Sequence, residues 1–252
     1  MKTIGSAIIM LVLTPSLFAD NGKELKLTSP DGTHEIVFYQ KQVSPAVNEL
    51  CYRVDYKSQP VVNESRAGLE LDNRIWEMAL GARNLKQPAC WMDNLEVDSV
   101  TYQLETNLTW QPLYGERSSV RDHYRTGTLY LSKKDNSGYR LNIEVRAYNE
   151  GVAFRYFFPE HPKAIFHKVV GDLTEYALPA GTKAWTEQWA QAFFERLNID
   201  DIKHPVERTL TFELPNGKWA ALADADVDDW CLTKYLVSTD KKNTCLLYTS
   251  PS

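Results

Sequence analysis

From about residue 25 onward, apolar and polar side chains alternate with a period of two, the pattern of strands with one buried and one wetted face. Leu50, Tyr52, Val54 and Tyr56 alternate with Cys51, Arg53 and Asp55. Residues 35–39 follow the turn Ser29-Pro30-Asp31-Gly32, where proline presets φ and glycine accepts positive φ. Residues 68–71 and 99–104 predict two further strands. Leu141, Ile143 and Val145 alternate with Arg140, Asn142, Glu144 and Arg146; the turn Asn149-Glu150-Gly151 then returns the chain through Val152, Phe154 and Tyr156 as a hairpin. Residues 209–214, the turn Pro215-Asn216-Gly217-Lys218 and residues 219–223 repeat the arrangement. No window of ten or more residues carries a 3.6-residue apolar stripe, and residues 190–202 read as a short helix or an irregular loop. The expected fold class is therefore all-β, an antiparallel sandwich or super-sandwich occupying one domain over about residues 24–240.

Composition narrows the partners more than the chemistry. With 43% hydrophobic and 12% aromatic residues in 252, the chain can fill a substantial core. A net charge of −5 without any dense basic run gives no field for phosphate backbones, so no nucleic-acid partner is expected. Lys2, the apolar run over residues 4–13 and Ala19 before Asp20 read as a signal peptide over residues 1–19, which predicts a periplasmic or secreted protein. That run falls short of the ~20 residues of a spanning helix, so no membrane span is expected. Cys51, Cys90, Cys231 and Cys245 lack any CxxC spacing and read as scattered buried thiols.

Several clusters invite a chemical reading. Arg121-Asp122-His123-Tyr124 places a base, an acid, an imidazole and a phenol in succession, but a strand would send Arg121 and His123 to one face and Asp122 and Tyr124 to the other. Cross-strand pairing is the reading that follows. Asp224, Asp226 and Asp228 open like a calcium loop, yet Asp229 replaces the required glycine and Tyr235 the bidentate glutamate. An acidic solvated turn fits better. The five histidines lack zinc spacings and read as surface residues. In residues 184–195, Trp185, Trp189, Phe193 and Phe194 accompany Glu187 and Glu195. Indole and phenyl faces stack on sugar rings, and carboxylates bind hydroxyls or Ca²⁺, although one glutamate cannot fill a shell of ~6–8 oxygens. The plainer reading is an aromatic cluster packing a loop onto the sandwich. No motif marks the pair of carboxylates that glycoside hydrolysis needs.

Taken in order, Leu27-Thr28-Ser29-Pro30-Asp31-Gly32, Gly68-Leu69-Glu70-Leu71, Trp110-Gln111-Pro112, Gly115-Glu116, Arg121-Asp122-His123-Tyr124, residues 146–156 and Ala184-Trp185 resemble the N-terminal domain of the family 97 glycoside hydrolases, secreted α-glucosidases and α-galactosidases. The resemblance implies a galactose-mutarotase-like β-super-sandwich ahead of a catalytic (β/α)₈ barrel and a small C-terminal β-domain. It implies that the intact enzyme acts on α-linked oligosaccharides, with its catalytic acid and base or nucleophile in the barrel. It also implies that this domain lends one glutamate to an active-site Ca²⁺. In the family that glutamate follows the Ala-Trp in a Tyr-Glu context, which places it on Glu195, with Phe194 where the family has tyrosine and Glu187 as the fallback. A barrel needs roughly 250 residues, and only sixteen follow Leu236. The expectation is an enzyme fragment ending before its barrel and inactive alone, with residues 245–252 a non-native tail resembling translated adapter sequence. The alternative is a free-standing carbohydrate-binding module without catalysis.

Overall fold

The computed structural model describes residues 18–20, 23–83, 85, 90–135, 137–163, 166–225, 227, 230 and 232–249. Strand β1 (Phe18–Asp20) precedes four strands that form one antiparallel sheet in sequence order: β2 (Glu24–Thr28), β3 (His34–Ser44), β4 (Val47–Tyr56) and β5 (Gln59–Arg66). After β6 (Leu69–Leu71) and the short helix α1 (Arg74–Ala79) come β7 (Leu95–Tyr102), β8 (Thr106–Trp110), β9 (Val120–Lys133), β10 (Arg140–Tyr148) and β11 (Gly151–Phe157). These build a second antiparallel sheet in the order β1-β7-β9-β10-β11, with β8 added to the free end of β9. Next in the chain are β12 (Val169–Asp172), which pairs with β6, then β13 (Glu175–Ala177), β14 (Lys183–Thr186) and β15 (Glu195–Asn198). Strands β16 (Leu210–Glu213), β17 (Trp219–Leu222), β18 (Thr233–Val237) and β19 (Thr244–Thr249) complete the set. They give a β15-β14-β16-β17 sheet and a β13-β19-β18 sheet. The all-β class and the antiparallel pairing expected from the alternation are what the chain adopts.

Burial follows the sequence pattern most closely in β10, where Leu141, Ile143, Val145 and Ala147 are fully buried and the residues between them are not. This row faces the β2–β5 sheet. Phe38 of β3 meets Phe154 of β11 edge-on at 5.2 Å and stacks on Tyr52 of β4 at 5.3 Å. Gly127 of β9 lets the two sheets close: a Cβ there would sit 3.1 Å from Leu25 Cδ1, tighter than ordinary contact. Sheet-on-sheet burial of this kind removes apolar surface from water at about 25 cal/mol per Å², and the buried cluster runs from Leu25 to Cys245.

Some elements depart from the sequence reading. Helix α1 has no buried residue, so it leaves no apolar stripe to detect. Residues 190–202, expected as a helix or loop, run from a loop into β15 and a 3₁₀ turn over Ile199–Asp201. Residues 245–249 of the expected non-native tail lie in β19, the central strand of its sheet, and residues 250–252 fall outside the described residues. Residues 1–17 of the expected signal peptide also fall outside them, while Phe18 and Ala19 pair with Tyr102 and Thr101. Cys51, Cys90 and Cys245 are buried free thiols, as expected, and burial raises them to about 11, 11 and 12; Cys231 lies outside the described residues.

A ring of phenols joins the sheets at a buried carboxyl. Tyr52 Oη donates to the Glu175 carbonyl at 2.6 Å, and Tyr156 Oη lies 2.6 Å from Thr174 Oγ1. Asp172, 7% exposed, accepts the Thr174 N–H at 2.9 Å. Loss of water raises its carboxyl from 3.8 to about 6, against the lowering effect of the Thr174 bonds, and Asp224 adds to the rise. A carboxyl whose folded value exceeds its unfolded one favours folding below the unfolded value, and that contribution is lost as pH rises through the folded value. The interval corresponds to about 3 kcal/mol, lost between about pH 4 and pH 6. Asp172→Asn keeps an oxygen for the Thr174 N–H without the charge. Urea unfolding is expected to show this variant more stable than the parent at pH 8, by up to about 3 kcal/mol, with most of that gain absent at pH 4. An equal gain at both pH values would contradict the assignment.

Candidate functional site

The four-residue cluster at Arg121 is resolved by the β8–β9 hairpin. Arg121 Nε donates to Asn107 Oδ1 at 2.9 Å, and His123 Nε2 lies 2.6 Å from Glu105 Oε1, whose other oxygen accepts Arg125 Nε at 3.1 Å. His123 first, then Arg125, holds the Glu105 carboxyl below its usual range. On the other side Asp122 faces Leu108 across the pair, and Tyr124 lies 5.0 Å from the Tyr148 ring with the Arg146 guanidinium 4.7 Å over it. The two faces separate the groups as strand geometry requires. Arg121, His123 and Tyr124 are spent on pairing with neighbouring segments and Asp122 lies on the face away from His123, so the four form no compact catalytic triad.

The remaining candidates also settle into structural positions. Asp224 is bound by Arg208 Nη1 at 3.1 Å and by the Thr233 hydroxyl, while Asp226, Asp228 and Asp229 lie outside the described residues. The expectation of surface histidines fails at His161, which is 5% exposed: its ring lies 5.1 Å from Tyr139, and Nε2 lies 3.0 Å from the Ser137 carbonyl. His167 is half-buried, 4.4 Å from the Phe158 ring, with Nδ1 3.1 Å from Asn73 Nδ2. Both imidazoles pack against aromatic rings, and the second nitrogen of His161, Nδ1, accepts the Lys163 N–H at 3.1 Å.

The segment from Ala184 to Glu195 forms strand, loop and strand. Thr186 pairs with Glu195, and its hydroxyl donates to the Glu195 carbonyl at 3.2 Å. The loop base is anchored where the Glu207 N–H donates to the Glu187 carbonyl at 2.7 Å and Lys234 Nζ donates to the Gln188 carbonyl at 3.0 Å. Beyond the anchors the aromatics open to solvent: Trp189 is 59%, Phe193 93% and Phe194 66% exposed. The expectation that these rings pack the loop onto the sandwich therefore fails: the loop base is held by hydrogen bonds to its backbone carbonyls, and the rings are exposed. Glu195 itself is exposed, and its carboxylate makes no hydrogen bond or ion pair among the described residues. Alternation sends it to the side opposite Arg196, which reaches across β14 to pair with Glu213.

Among the described residues no group of three or more His, Cys, Asp or Glu is placed to hold a metal ion. Calcium requires ~6–8 oxygens, of which the exposed Glu195 carboxylate by itself could supply only one or two. Glu187 is half-buried, with its carbonyl already engaged. The residues not singled out from sequence are Arg196, Glu213 and Trp219, which come onto one sheet face only through the strand order β15-β14-β16-β17.

The profile of the family described as Glycosyl-hydrolase 97 N-terminal matches residues 27–251. A retaining alpha-galactosidase of Bacteroides thetaiotaomicron is 27% identical over 184 residues, covering 73% of this chain and 23% of that relative. A glycoside hydrolase family 97 enzyme from Pseudoalteromonas sp. strain K8, solved with panose and also with acarbose, superposes with a TM-score of 0.75 at 22% identity over 90% of this chain and 32% of that one. A beta-arabinopyranosidase superposes with a TM-score of 0.70 at 16% identity, over 89% of this chain and 35% of that one. The chain thus spans about a quarter to a third of the length of these proteins. At such identities the structural likeness speaks for the fold. Because Phe193 is almost wholly exposed and Phe194 is mostly so, Phe193→Ser and Phe194→Ser are expected to change unfolding free energy by less than ~0.5 kcal/mol in a denaturant titration.

Proposed function

The chain belongs to the glycosyl-hydrolase 97 N-terminal family and is the N-terminal domain of a glycoside hydrolase, and from that premise we propose that its parent is an exported α-glycosidase. The parent hydrolyses α-glucosides or α-galactosides, and this domain is its carbohydrate-binding-type sandwich. The carrying observation is the family match over residues 27–251, joined by a relative named as a retaining alpha-galactosidase. The carboxylate pair that hydrolysis requires belongs to a downstream (β/α)₈ barrel, and no residue of this domain is assigned to it. Export to the periplasm or beyond rests on the signal-peptide pattern of residues 1–19.

Glu195 is the residue assigned to the shared active site. Its exposed carboxylate, uncommitted among the described residues, stands at the entry to β15 beside the anchored loop base. Calcium, when bound, would orient the substrate and position carboxylates around the glycosidic bond. Glu195 supplies one charged oxygen ligand, and the Glu187–Glu207 and Lys234–Gln188 bonds fix the strand end from which it projects. The free-standing carbohydrate-binding module would share the fold and need no barrel; the observation in its favour is the exposure of Trp185 and Trp219.

Two outcomes follow. Residues 20–252, which keep β19 whole, are expected on their own to release no nitrophenol from aryl α-glucosides or α-galactosides, and measurable turnover would overturn the assignment of catalysis to the barrel. In the intact enzyme, Glu195→Gln is expected to weaken Ca²⁺ binding about ten-fold or more by equilibrium dialysis, with activity restored by added Ca²⁺. An unchanged Ca²⁺ affinity would remove Glu195 from the shell.

A further inference from the structure

We propose that the solvent-facing side of the β15-β14-β16-β17 sheet is a platform for an uncharged α-linked oligosaccharide, gripped by the indoles of Trp185 and Trp219. The inference deepens the carbohydrate-linked reading above and rests on it for the choice of sugar. One side of this sheet is core: Ala184, Leu210 and Phe212 are fully buried. The other side follows from the register. Arg196, Trp185, Thr211 and Ala221 form one row across the strands, and Asn198, Lys183, Glu213 and Trp219 form the next. Trp185 is 39% and Trp219 55% exposed, and neither ring meets another aromatic ring among the described residues. They stand at diagonal corners, two strands and two residues apart, which strand geometry makes about 12 Å. Thr211 and Ala221, both short, form the floor beside them.

The chemistry between the indoles selects the occupant. A pyranose presents an apolar C–H face and a rim of hydroxyls, so it needs a flat ring next to fixed hydrogen-bonding groups. Arg196 is held over β14 by its ion pair with Glu213, which orders both groups beside Trp185, and Lys183 and Asn198 lie in the same row as Glu213. Arg196 is neutralised by Glu213, and Lys183 leaves one exposed positive charge in the same row, a weak, salt-screened field rather than the cluster of basic groups that a phosphate or an acidic glycan calls for. A protein partner would find no continuous apolar area here, because Thr211, Glu213 and Lys183 separate the two rings. The platform lies on the side opposite the one to which alternation sends Glu195.

Isothermal titration of the purified chain with maltoheptaose tests the platform. Saturable binding is expected, with Trp185→Ala and Trp219→Ala each raising Kd about five-fold or more and the double variant abolishing the signal. Ala221→Arg, which fills the floor and leaves both rings in place, is expected to block binding too, so the outcome does not depend on the tryptophan variants folding well. A silent titration with folded protein overturns the proposal, as does binding that all three single variants leave unchanged, which would put the sugar elsewhere on the domain. Glu195→Gln is expected to leave maltoheptaose binding at the parent value; the Ca²⁺ assignment and the platform therefore fail separately.

Discussion

The face-to-face closure of the β2–β5 sheet on the sheet containing β9, β10 and β11 sets what every other part of the molecule can do. The closure depends on two complementary details. β10 offers an unbroken buried row in Leu141, Ile143, Val145 and Ala147, and β9 withholds a side chain at Gly127 so that Leu25 can enter. Interiors pack at crystal-like density, so one extra methyl at Gly127 would have to displace Leu25 rather than find slack. With the sheets fixed, the strand ends are fixed. The β8–β9 hairpin, the 187–194 loop and the outer face of the β14-containing sheet are mounted on that rigid pair.

Polar groups are accommodated in two different ways. On the wetted faces they pair with neighbours across or along the strands: Glu105 with His123 and Arg125, Glu144 with Arg146 on its own strand and Arg155 on the next, Glu213 with Arg196. Exposed pairs of this kind contribute little to stability and chiefly hold side chains in register. Inside, phenols take that role. Tyr52 and Tyr156 bring hydroxyls to backbone and threonine oxygens beside Asp172, so a carboxyl is retained where water is scarce and is shifted toward its neutral form. The neutral acid can remain among phenols, whereas the anion must be solvated by very few donors.

The strands were legible wherever one face is buried and the other wet, as in β3, β4, β10 and β11. β8 was not, because nearly all of it is exposed and no buried half-pattern marks it. α1 was hidden for the same reason. The split of Arg121 and His123 from Asp122 and Tyr124 could be derived from two-residue periodicity alone, since it needs no tertiary information. The burial of His161 and Asp172 could not, because it depends on Tyr139 reaching the one and Tyr52 and Tyr156 the other from separate strands and loops. The grouping of Trp185, Arg196, Glu213 and Trp219 required the spatial order of four strands, and β14 lies between β15 and β16 although β15 precedes β16 in the chain. Glu195 was reached through family likeness; its exposure and lack of partners came from the fold.

The position of β19 bears on how the chain acquires its structure. β18 and β19 form a local hairpin, but β13, from residues 175–177, pairs with β19 at residues 244–246. The intervening chain contains the whole β15-β14-β16-β17 sheet. Closing that long loop costs entropy before any contact repays it, and non-local pairings of this kind slow folding. Until it closes, Tyr176 and Tyr235, which meet edge-on at 6.0 Å in the finished fold, stay apart. The carboxyl of Asp172 stays in water until then, so between about pH 4 and pH 6 it takes up its proton late, when the last sheet seals over it.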